Sequence, residues 1–320
     1  MQFVQDLSQP DHSCNSLYPN NRSPRRMAQT PDLSIIVPAY NEGSRIGPTV
    51  RDIVDYCRRS RRAFEMILVD DGSEDDTSSV GRQLCQQFAE LRLIRLAANQ
   101  GKGYAVRTGM LNALGHNLLF ADADGATPFS EVERLESAVA GGADIAVGSR
   151  ALREEGTRVK AKLYRHLIGR TFHLLVEQLA DAGVKDTQCG FKLFRFSVAQ
   201  ELFSRMRMNG FSFDVEVLLM ARKLGYQVAE VPVNWTHQPG SKVRLASDSL
   251  AMAIDLFRIR TNWLRGEYGE PHLATWVETK APPPSFDTAD RLTESDKCRE
   301  DLPARAVIPP VANTTALRPT

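Results

Sequence analysis

Short apolar runs alternate with segments of helical periodicity between residues 34 and 150, and this alternation constrains the fold more than any other feature of the chain. The apolar runs are unbroken, as expected for strands that are buried on both faces. Strands that alternate with helices form a mostly parallel sheet with helices on both faces. The sequence therefore predicts an α/β fold with such a central sheet.

The same patterns predict the individual elements. Strands are predicted at 34–40, 64–71, 91–96, 116–124 and 144–150, and helices at 47–61, 75–91, 104–114 and from Thr127-Pro128, a favourable helix start, to Gly141. Beyond residue 150 the pattern is less regular and predicts helices at 159–179, 197–206, 213–224 and 248–264. Residues 226–235 are predicted to form an antiparallel or edge strand, because Pro232 cannot donate to a strand ladder.

The two ends of the chain differ in composition from its middle. Residues 1–31 are polar and lack periodicity, and residues 267–320 are rich in proline and polar side chains. Such segments bury too little apolar surface to fold alone. We predict a disordered N-terminal arm (1–31), one folded domain (32–266) and a flexible C-terminal tail (267–320).

Bulk composition argues against several classes of protein. The chain has a net charge of +1, so it lacks the strongly basic surface that is typical of a nucleic-acid-binding protein. Five scattered cysteines without a CxxC pair support neither a disulfide framework nor a zinc site, which favours a reducing compartment. No run approaches the ~18 consecutive apolar residues of a membrane span, and residues 1–26 lack the apolar core of a signal peptide. We predict a cytoplasmic protein without a transmembrane helix.

Polar groups follow three of the predicted strands: Tyr40-Asn41-Glu42, 70–73 and Asp122-Ala123-Asp124. In parallel α/β sheets, ligands bind outside the carboxyl ends of the strands, so these groups are expected to converge. Asp122 and Asp124 lie two positions apart, and two carboxylates aimed together repel unless a cation or proton lies between them. Hard oxygen ligands suit Mg²⁺ or Mn²⁺, which commonly bind substrate phosphates as well. The alternative for this segment is a plain Asp-Gly turn.

Two cations are expected at the same edge. Lys102 lies in a glycine-flanked loop, where the backbone can approach a ligand closely, and Arg150 ends the fifth predicted strand. The alternatives are an ordinary loop lysine for Lys102, a turn cap for Asp71 and a solvated loop charge for Glu42. No GxGxxG motif follows the first strand and no GxxxxGK[ST] motif occurs, which argues against dinucleotide-redox and P-loop proteins.

Eight motifs carry a resemblance to a known family. In chain order they are VPAYNE, VDDGSEDDT, NQGKGYAVRTGM, ADADG, GSR, DTQCGFKLF, FSFDVE and HQPGSKV. Over about residues 33 to 264 the chain resembles the family-2 inverting glycosyltransferases, which have the nucleotide-diphospho-sugar transferase (GT-A type) fold. Within the family it is most similar to the branch of dolichyl-phosphate β-glucosyltransferases and polyprenyl-phosphate mannose synthases, and DTQCGFKLF favours the glucosyltransferase side.

The resemblance implies a reaction and roles for named residues. A hexose, glucose by preference, would move from a nucleotide-diphospho-sugar such as UDP-glucose to a polyprenyl (dolichyl-type) phosphate. The nucleoside would contact Pro38, Tyr40, Glu42 and Asp71, and Asp122 and Asp124 would hold the metal on the diphosphate. Gln188 and Lys192 would line the acceptor pocket, Asp214 would lie near the sugar, and phosphate oxygens would meet Arg150, Arg165, Ser241 and Lys242.

The chain departs from many relatives of this kind, which carry a membrane-spanning helix. The helices predicted at 159–179 and 248–264 combine apolar residues with lysine or arginine. Such a helix is either an interfacial membrane anchor or a surface helix that packs on the core. Peripheral attachment to the cytoplasmic face of a membrane therefore stays open.

Three other functions stay open on the sequence. One alternative acceptor is a glycan or glycolipid hydroxyl, which needs a general base, and Asp214 is the candidate. A nucleotidyltransferase shares the fold, but PAYNE argues against it. A non-catalytic binding module would not need Lys102, Asp122, Asp124 and Lys242 intact.

Overall fold

The computed structural model describes residues 30–152, 159–160, 183–238 and 245–269. The strands are β1 Leu33–Ala39, β2 Phe64–Asp70, β3 Leu91–Arg95, β4 Asn117–Ala121, β5 Ile145–Ser149, β6 Val159–Lys160, β7 Phe191–Arg195, β8 Val228–Pro232 and β9 Trp235–Thr236. The helices are α1 Ile46–Arg59, α2 Thr77–Gln87, α3 Lys102–Leu111, α4 Val132–Ala140, α5 Phe196–Arg205, α6 Phe213–Lys223 and α7 Leu245–Leu264.

Within the described residues, seven strands form the central sheet in the order β3-β2-β1-β4-β7-β5-β8. All neighbours pair in parallel except β7, which is antiparallel to both β4 and β5. Strands β6 and β9 pair in parallel in a separate two-stranded sheet. The prediction of an α/β fold with a mostly parallel sheet is confirmed.

The sheet separates two hydrophobic clusters because successive side chains of a strand point to opposite faces. Ile36 of β1 packs in one cluster with residues of α3, α5 and α6. Its neighbours Ile35 and Val37 pack in the other cluster with residues of α1, α2 and α4. Every residue of β1 and β2 is buried, which explains their unbroken apolar sequences. Helices therefore cover both faces of the sheet, as predicted.

Two local predictions require correction. Strand β4 ends at Ala121 rather than at residue 124, because the chain turns at Asp124, whose carboxylate accepts the backbone N–H of Ala126. The helix predicted from Thr127 starts instead with a 3₁₀ turn, Phe129–Glu131, before α4. Of the two alternatives predicted for residues 226–235, the edge strand is confirmed, since β8 lies at the sheet edge and pairs in parallel with β5. Strand β7 was not predicted, because a five-residue strand between two helices leaves a weak periodic signal.

The helix predicted at 159–179 is wrong at its first two residues, which form β6, and residues 161–179 lie outside the described part of the chain. The predicted arm lies almost wholly outside the described residues, and most of the predicted tail does as well. The domain bounds therefore stay a prediction. The described chain continues to residue 269, and Tyr268 is only 3% exposed.

Candidate active site

An ion pair joins the start of α3 to the end of β4. Lys102 is the first residue of α3, and its Nζ lies 2.7 Å from Oδ1 of Asp122, the residue that follows β4. Gly190 makes room for this carboxylate, since a Cβ at that position would lie 2.0 Å from Asp122 Oδ2. Burial disfavours the Lys102 ammonium, but the carboxylates of Asp122 and Asp214 outweigh it and raise the pKa of Lys102. The lysine therefore stays charged and neutralises Asp122.

Asp124 forms the second half of the predicted carboxylate pair. Its Oδ1 accepts the Ala126 N–H at 3.0 Å, and Gly125 has φ 63°, so an Asp-Gly turn is indeed present. Burial and the charge of Asp122 together raise the pKa of Asp124. The turn and the carboxylate pair are thus compatible, and the raised pKa marks a place where a cation would relieve repulsion.

The carboxylate pair fits a divalent cation that is shared with a ligand. Among the described residues, no group of three or more His, Cys, Asp or Glu side chains is arranged to hold a metal ion. Asp122 and Asp124 would therefore supply two hard oxygen ligands, and phosphate oxygens and water would supply the others. Mg²⁺ and Mn²⁺ commonly bind in this way.

A second ion pair lies deeper in the sheet. Nζ of Lys192, on β7, lies 2.6 Å from Oδ1 of Asp214, in the first turn of α6, and their side chains are 2% and 3% exposed. Lys192 also donates to the Cys189 carbonyl at 2.6 Å. Burial raises the pKa of Asp214, although Lys192 opposes the shift. These two predicted site residues come together, but neither presents an open surface to a ligand.

The ring of Phe120 lies beside both lysines. Its centre is 5.2 Å from Nζ of Lys102 and 5.7 Å from Nζ of Lys192. Phe120 and Lys192 are also directly opposed in the β4–β7 ladder. Cation–π contacts of this length stabilise ammonium groups. The ring therefore connects the two ion pairs into one charged cluster at the carboxyl end of β4.

Arg150 is held by a carboxylate. Its Nε and Nη2 donate to Asp186 at 2.7 and 2.8 Å, and its guanidinium lies 5.5 Å from the centre of the Trp235 ring. Burial opposes ionisation of Asp186, but Arg150 outweighs it and lowers the pKa of Asp186. The backbone N–H groups of Lys185 and Asp186 donate to Glu230. This pair fixes the start of the segment that leads to Gln188.

Gln188 has an amide nitrogen, Nε2, that is buried and lacks a hydrogen-bond partner within the described ranges. A buried polar atom of this kind usually marks a missing partner, such as water or a ligand. The predicted phosphate-binding residues Arg165, Ser241 and Lys242 lie outside the described residues.

The predicted nucleotide side forms a cavity of about 540 Å³. It is lined by the end of β1, the β2–α2 loop, the first residues of α2 and the loop after β3, through Tyr40, 72–76, Ser78, Ser79, Arg82, Arg95 and 97–99. Pro38 lies within β1, opposite Val69 of β2. Glu42 accepts two hydrogen bonds from Arg45, each 2.6 Å long, and its own N–H donates to Thr77 Oγ1.

Asp71 has a structural contact that the sequence did not predict. Its two carboxylate oxygens accept the backbone N–H groups of Gln100 at 2.8 Å and of Gly101 at 2.9 Å. Burial raises the pKa of Asp71, and the two N–H groups oppose the shift. Asp71 therefore fixes the loop that leads into Lys102, whatever else it binds.

Sequence reasoning missed several residues that shape the site. Asp186 and Glu216 belong to the motifs DTQCGFKLF and FSFDVE, and Arg45 follows VPAYNE by three residues. Each is a charged residue within or beside a motif, which is the signal that could have identified them. Their partners are distant in the sequence and could not be inferred from it.

The fold and the charged cluster agree with one class of protein. A mostly parallel sheet with a carboxylate pair after β4 and a lysine at the start of α3 is what the predicted resemblance to GT-A type glycosyltransferases requires. Residues 34–203 match the model of the family Glycosyl transferase family 2. The chain belongs to this family and is a glycosyltransferase.

Curated relatives cover most of the chain. A dolichyl-phosphate β-glucosyltransferase from Mus musculus is 39% identical over 252 residues, which are 75% of this chain and 78% of the relative. The protein of the same name from Saccharomyces cerevisiae is 37% identical over 254 residues, 74% of this chain and 76% of the relative. The predicted resemblance to the glucosyltransferase branch is thereby confirmed.

Solved structures support the fold. The glucosyl-3-phosphoglycerate synthase of Mycobacterium tuberculosis in complex with UDP has a TM-score of 0.54 at 17% identity and covers 75% of this chain and 81% of its own. The mannosyl-3-phosphoglycerate synthase of Rubrobacter xylanophilus has a TM-score of 0.52 at 20% identity, with coverages of 76% and 77%. The mycobacterial enzyme has also been crystallised with Mn²⁺, UDP and its product.

Proposed function

We propose that the chain transfers glucose from UDP-glucose to a dolichyl-type phosphate, with inversion at the anomeric carbon. The observation that carries the proposal is the 39% identity to a dolichyl-phosphate β-glucosyltransferase over three quarters of both chains.

The donor would lie across the carboxyl edge of the sheet. The cavity beside Tyr40 takes the nucleoside, and Tyr40 is the predicted nucleoside residue that lines it. Pro38, Glu42 and Asp71 are buried and would act on the nucleoside by supporting the surrounding loops. The diphosphate then reaches the charged cluster, where Lys102 is the accessible ammonium, with a side chain that is 24% exposed. Asp122 and Asp124 would hold Mg²⁺ or Mn²⁺, which supplies positive charge to the diphosphate.

The reaction is a single displacement. An oxygen of the acceptor phosphate forms a bond to C1 of glucose, and the bond between C1 and the diphosphate oxygen breaks. UDP leaves with the electron pair of that bond, and Lys102 stabilises the charge that develops on it. Arg150, Arg165, Ser241 and Lys242 are proposed to contact phosphate oxygens.

The site favours a phosphate acceptor over a hydroxyl acceptor. A phosphate monoester is largely ionised at neutral pH, since its second pKa is ~6, and it needs little help from a base. A hydroxyl needs a base, but the candidate Asp214 is 3% exposed and is bonded to Lys192. Gln188, whose buried amide nitrogen has no hydrogen-bond partner among the described residues, is the proposed contact on the acceptor side.

The acceptor is a lipid, and α7 offers a surface for its membrane. Ile254, Phe257 and Leu264 are exposed along one side of this helix, and Arg258, Arg260 and Arg265 are exposed beside them. Exposed apolar residues flanked by cations suit a membrane–water interface. No helix in the described part of the chain is both long and apolar enough to span a membrane. We propose peripheral attachment from the cytoplasmic side.

A transfer assay tests the function directly. The full chain is incubated with radiolabelled UDP-glucose or GDP-mannose and with detergent-dispersed dolichyl phosphate, with Mn²⁺, Mg²⁺ or EDTA. We expect labelled lipid from UDP-glucose only, and none when EDTA is present. Dolichol without phosphate serves as the matched control acceptor, to which we expect no transfer. Transfer to dolichol would contradict the phosphate-acceptor proposal, and transfer from GDP-mannose alone would contradict the donor.

A further inference from the structure

Glu216 is a fully buried carboxylate that the proposed chemistry does not use. It lies in the first turn of α6 and is 0% exposed. Its Oε1 accepts hydrogen bonds from the Arg207 N–H at 3.0 Å and the Tyr268 hydroxyl at 2.7 Å, and its Oε2 accepts the Met208 N–H at 2.8 Å. Burial raises the pKa of Glu216, while these donors oppose the shift. The carboxylate therefore fixes the positions of the two chain segments to which these donors belong.

One set of donors belongs to the loop between α5 and α6, residues 206–212. This loop packs on the start of α3. The Asn209 carbonyl accepts the Tyr104 N–H at 3.2 Å. A Cβ at Gly101 would lie 2.5 Å from the Asn209 oxygen, and a Cβ at Gly103 would lie 2.6 Å from the Met208 oxygen. The loop and the first turn of α3 therefore touch without space for any side chain between them.

Lys102 lies between these two glycines. On one side of it, Asp71 accepts the N–H groups of Gln100 and Gly101. On the other side, the 206–212 loop contacts Gly101, Gly103 and Tyr104. Since Glu216 holds that loop through two backbone N–H groups, a shift of the loop would move the Lys102 backbone. The 2.7 Å contact between Lys102 and Asp122 depends on this backbone position.

The third donor comes from the turn after α7, residues 265–269. Besides the Tyr268 hydroxyl bond to Glu216, the Tyr268 carbonyl accepts from Arg205 and the Glu267 carbonyl accepts from Arg207, each at 3.0 Å. The Tyr268 ring stacks on Trp263 with centres 5.8 Å apart. The turn 265–269 is therefore hydrogen-bonded to Arg205 and Arg207 at the start of the 206–212 loop and to Glu216 after its end.

We propose that Glu216 and Tyr268 are positioning residues for Lys102: they hold the 206–212 loop against the start of α3 and so set the ammonium that faces Asp122. The inference deepens the proposed function, because it assigns Lys102 a required position in glucosyl transfer. Neither residue touches the reacting atoms.

Hydrogen–deuterium exchange on the unliganded chain tests the structural link without any substrate. Tyr268→Phe removes the hydroxyl but keeps the stacked ring, and Glu216→Gln removes one acceptor. In both variants we expect the amides of Arg207, Met208 and Tyr104 to exchange faster by about tenfold, the effect of losing a hydrogen bond to a carboxylate. If the Tyr104 amide keeps its wild-type rate while Arg207 and Met208 exchange faster, the proposed link to α3 is wrong.

Two matched controls separate positioning from general destabilisation. Glu65→Gln alters another buried carboxylate, in strand β2, that accepts three hydrogen bonds, from Ser34, Leu114 and Arg92. Tyr226→Phe removes a tyrosine hydroxyl that donates to Glu201. Neither control is expected to change exchange at Tyr104, whatever it does to the melting temperature.

Kinetics then test the use of the link. We expect Tyr268→Phe to lower kcat for glucosyl transfer by about tenfold to a hundredfold, since a displaced catalytic group costs rate. The KM for UDP-glucose should rise by a smaller factor, because Lys102 also contacts the bound diphosphate. A variant that raises KM and leaves kcat intact would contradict the positioning role. Absence of transfer in the wild-type chain would contradict the proposed function and would leave the exchange test standing.

Discussion

Nζ of Lys102 and Oδ1 of Asp122 lie 2.7 Å apart, so the lysine neutralises a carboxylate that we propose as a metal ligand. A divalent cation and the Lys102 ammonium compete for the same negative charge. When a donor diphosphate is bound, the two cations can instead share its charge. Without nucleotide, the Lys102 ammonium should therefore weaken metal binding. With nucleotide bound, the lysine and the metal should both strengthen binding of the diphosphate.

Lys102→Met tests this relationship. We expect Mn²⁺ to bind the variant about tenfold more tightly in the absence of nucleotide, because a competing charge is removed from within 3 Å of Asp122. UDP should bind more weakly, because the diphosphate loses a cation. Calorimetric titration of Mn²⁺ and then of UDP measures both effects, with Lys223→Met on the exposed end of α6 as the control. Unchanged Mn²⁺ affinity would place the metal away from Asp122.

Asp124→Asn tests the carboxylate pair. The substitution keeps the side-chain size and an acceptor for the Ala126 N–H but removes a charge from the proposed metal. We expect turnover to fall by about 10²–10³ while the melting temperature is kept. Asp52→Asn on the exposed face of α1 is the matched control. An active and still metal-dependent Asp124→Asn enzyme would leave the Asp-Gly turn as the only role of this residue.

Asp186→Asn tests the stability contributed by the Arg150 pair. Because the pKa of Asp186 is lowered in the folded state, its ionised form stabilises the fold at pH values above the unfolded pKa of ~3.9, and this contribution is lost as the pH falls through the lower, folded pKa. We expect the free energy of unfolding of the variant to be about 2 kcal/mol lower than that of the wild type at pH 7. This loss is smaller than for a fully buried ion pair because Arg150 is partly exposed. Urea unfolding measured from pH 7 to 3 gives the free energy of unfolding of the wild type and of the variant, and these two values should converge below pH ~4. A difference that stays constant over this range would show that charge is not the cause.

Phe257→Ser with Leu264→Ser tests the membrane surface of α7. These side chains are 59% and 78% exposed, so their loss removes apolar area without opening the core. We expect binding to anionic phosphatidylserine vesicles to weaken by about tenfold or more. Leu114→Ser is the control, because Leu114 is 57% exposed on the connection that leads into β4. Equal vesicle binding by all variants would contradict attachment through α7.

Two truncations test where the folded domain ends. The predicted domain of 32–266 omits Tyr268, which is buried against Glu216. We expect a chain of residues 30–269 to unfold in urea like the full chain and a chain of 30–266 to be less stable by about 2–3 kcal/mol. Both should bind UDP. Equal stability of the two truncations would show that the turn after α7 contributes nothing.

The sequence predicted the architecture of the first half well because its signals are local. Each apolar run and each amphipathic helix between residues 33 and 140 can be identified without knowing its neighbours, and the rule for the carboxyl edge places Lys102 and Asp122 together. The contact itself is a finding of the structure. Its 2.7 Å length depends on Gly190, which lies 68 positions further along the chain.

The second half was harder because its pairings are not local. The Lys192 side chain is 2% exposed in the middle of the sheet, and its contacts with Asp214, the Cys189 carbonyl and the Phe120 ring make that burial tolerable. No periodicity in Phe191–Arg195 indicates which strands it joins. The links from Tyr268 to Glu216 and from Asp186 to Arg150 are likewise side-chain contacts between distant segments.

The antiparallel strand β7 has a consequence for synthesis on the ribosome. Strands β1 to β4 are adjacent in the sheet in the order β3-β2-β1-β4, so they can form a four-stranded sheet as soon as residue 121 has left the ribosome. Strand β5 follows at residue 145, but both of its partners, β7 and β8, are made later. The nascent chain must therefore hold an apolar strand without a neighbour until residues 191–195 are synthesised, and these same residues bring in Lys192. Chaperone binding during translation should be strongest in that interval. The charged cluster is completed after it, when Asp214, the partner of Lys192, has also been synthesised.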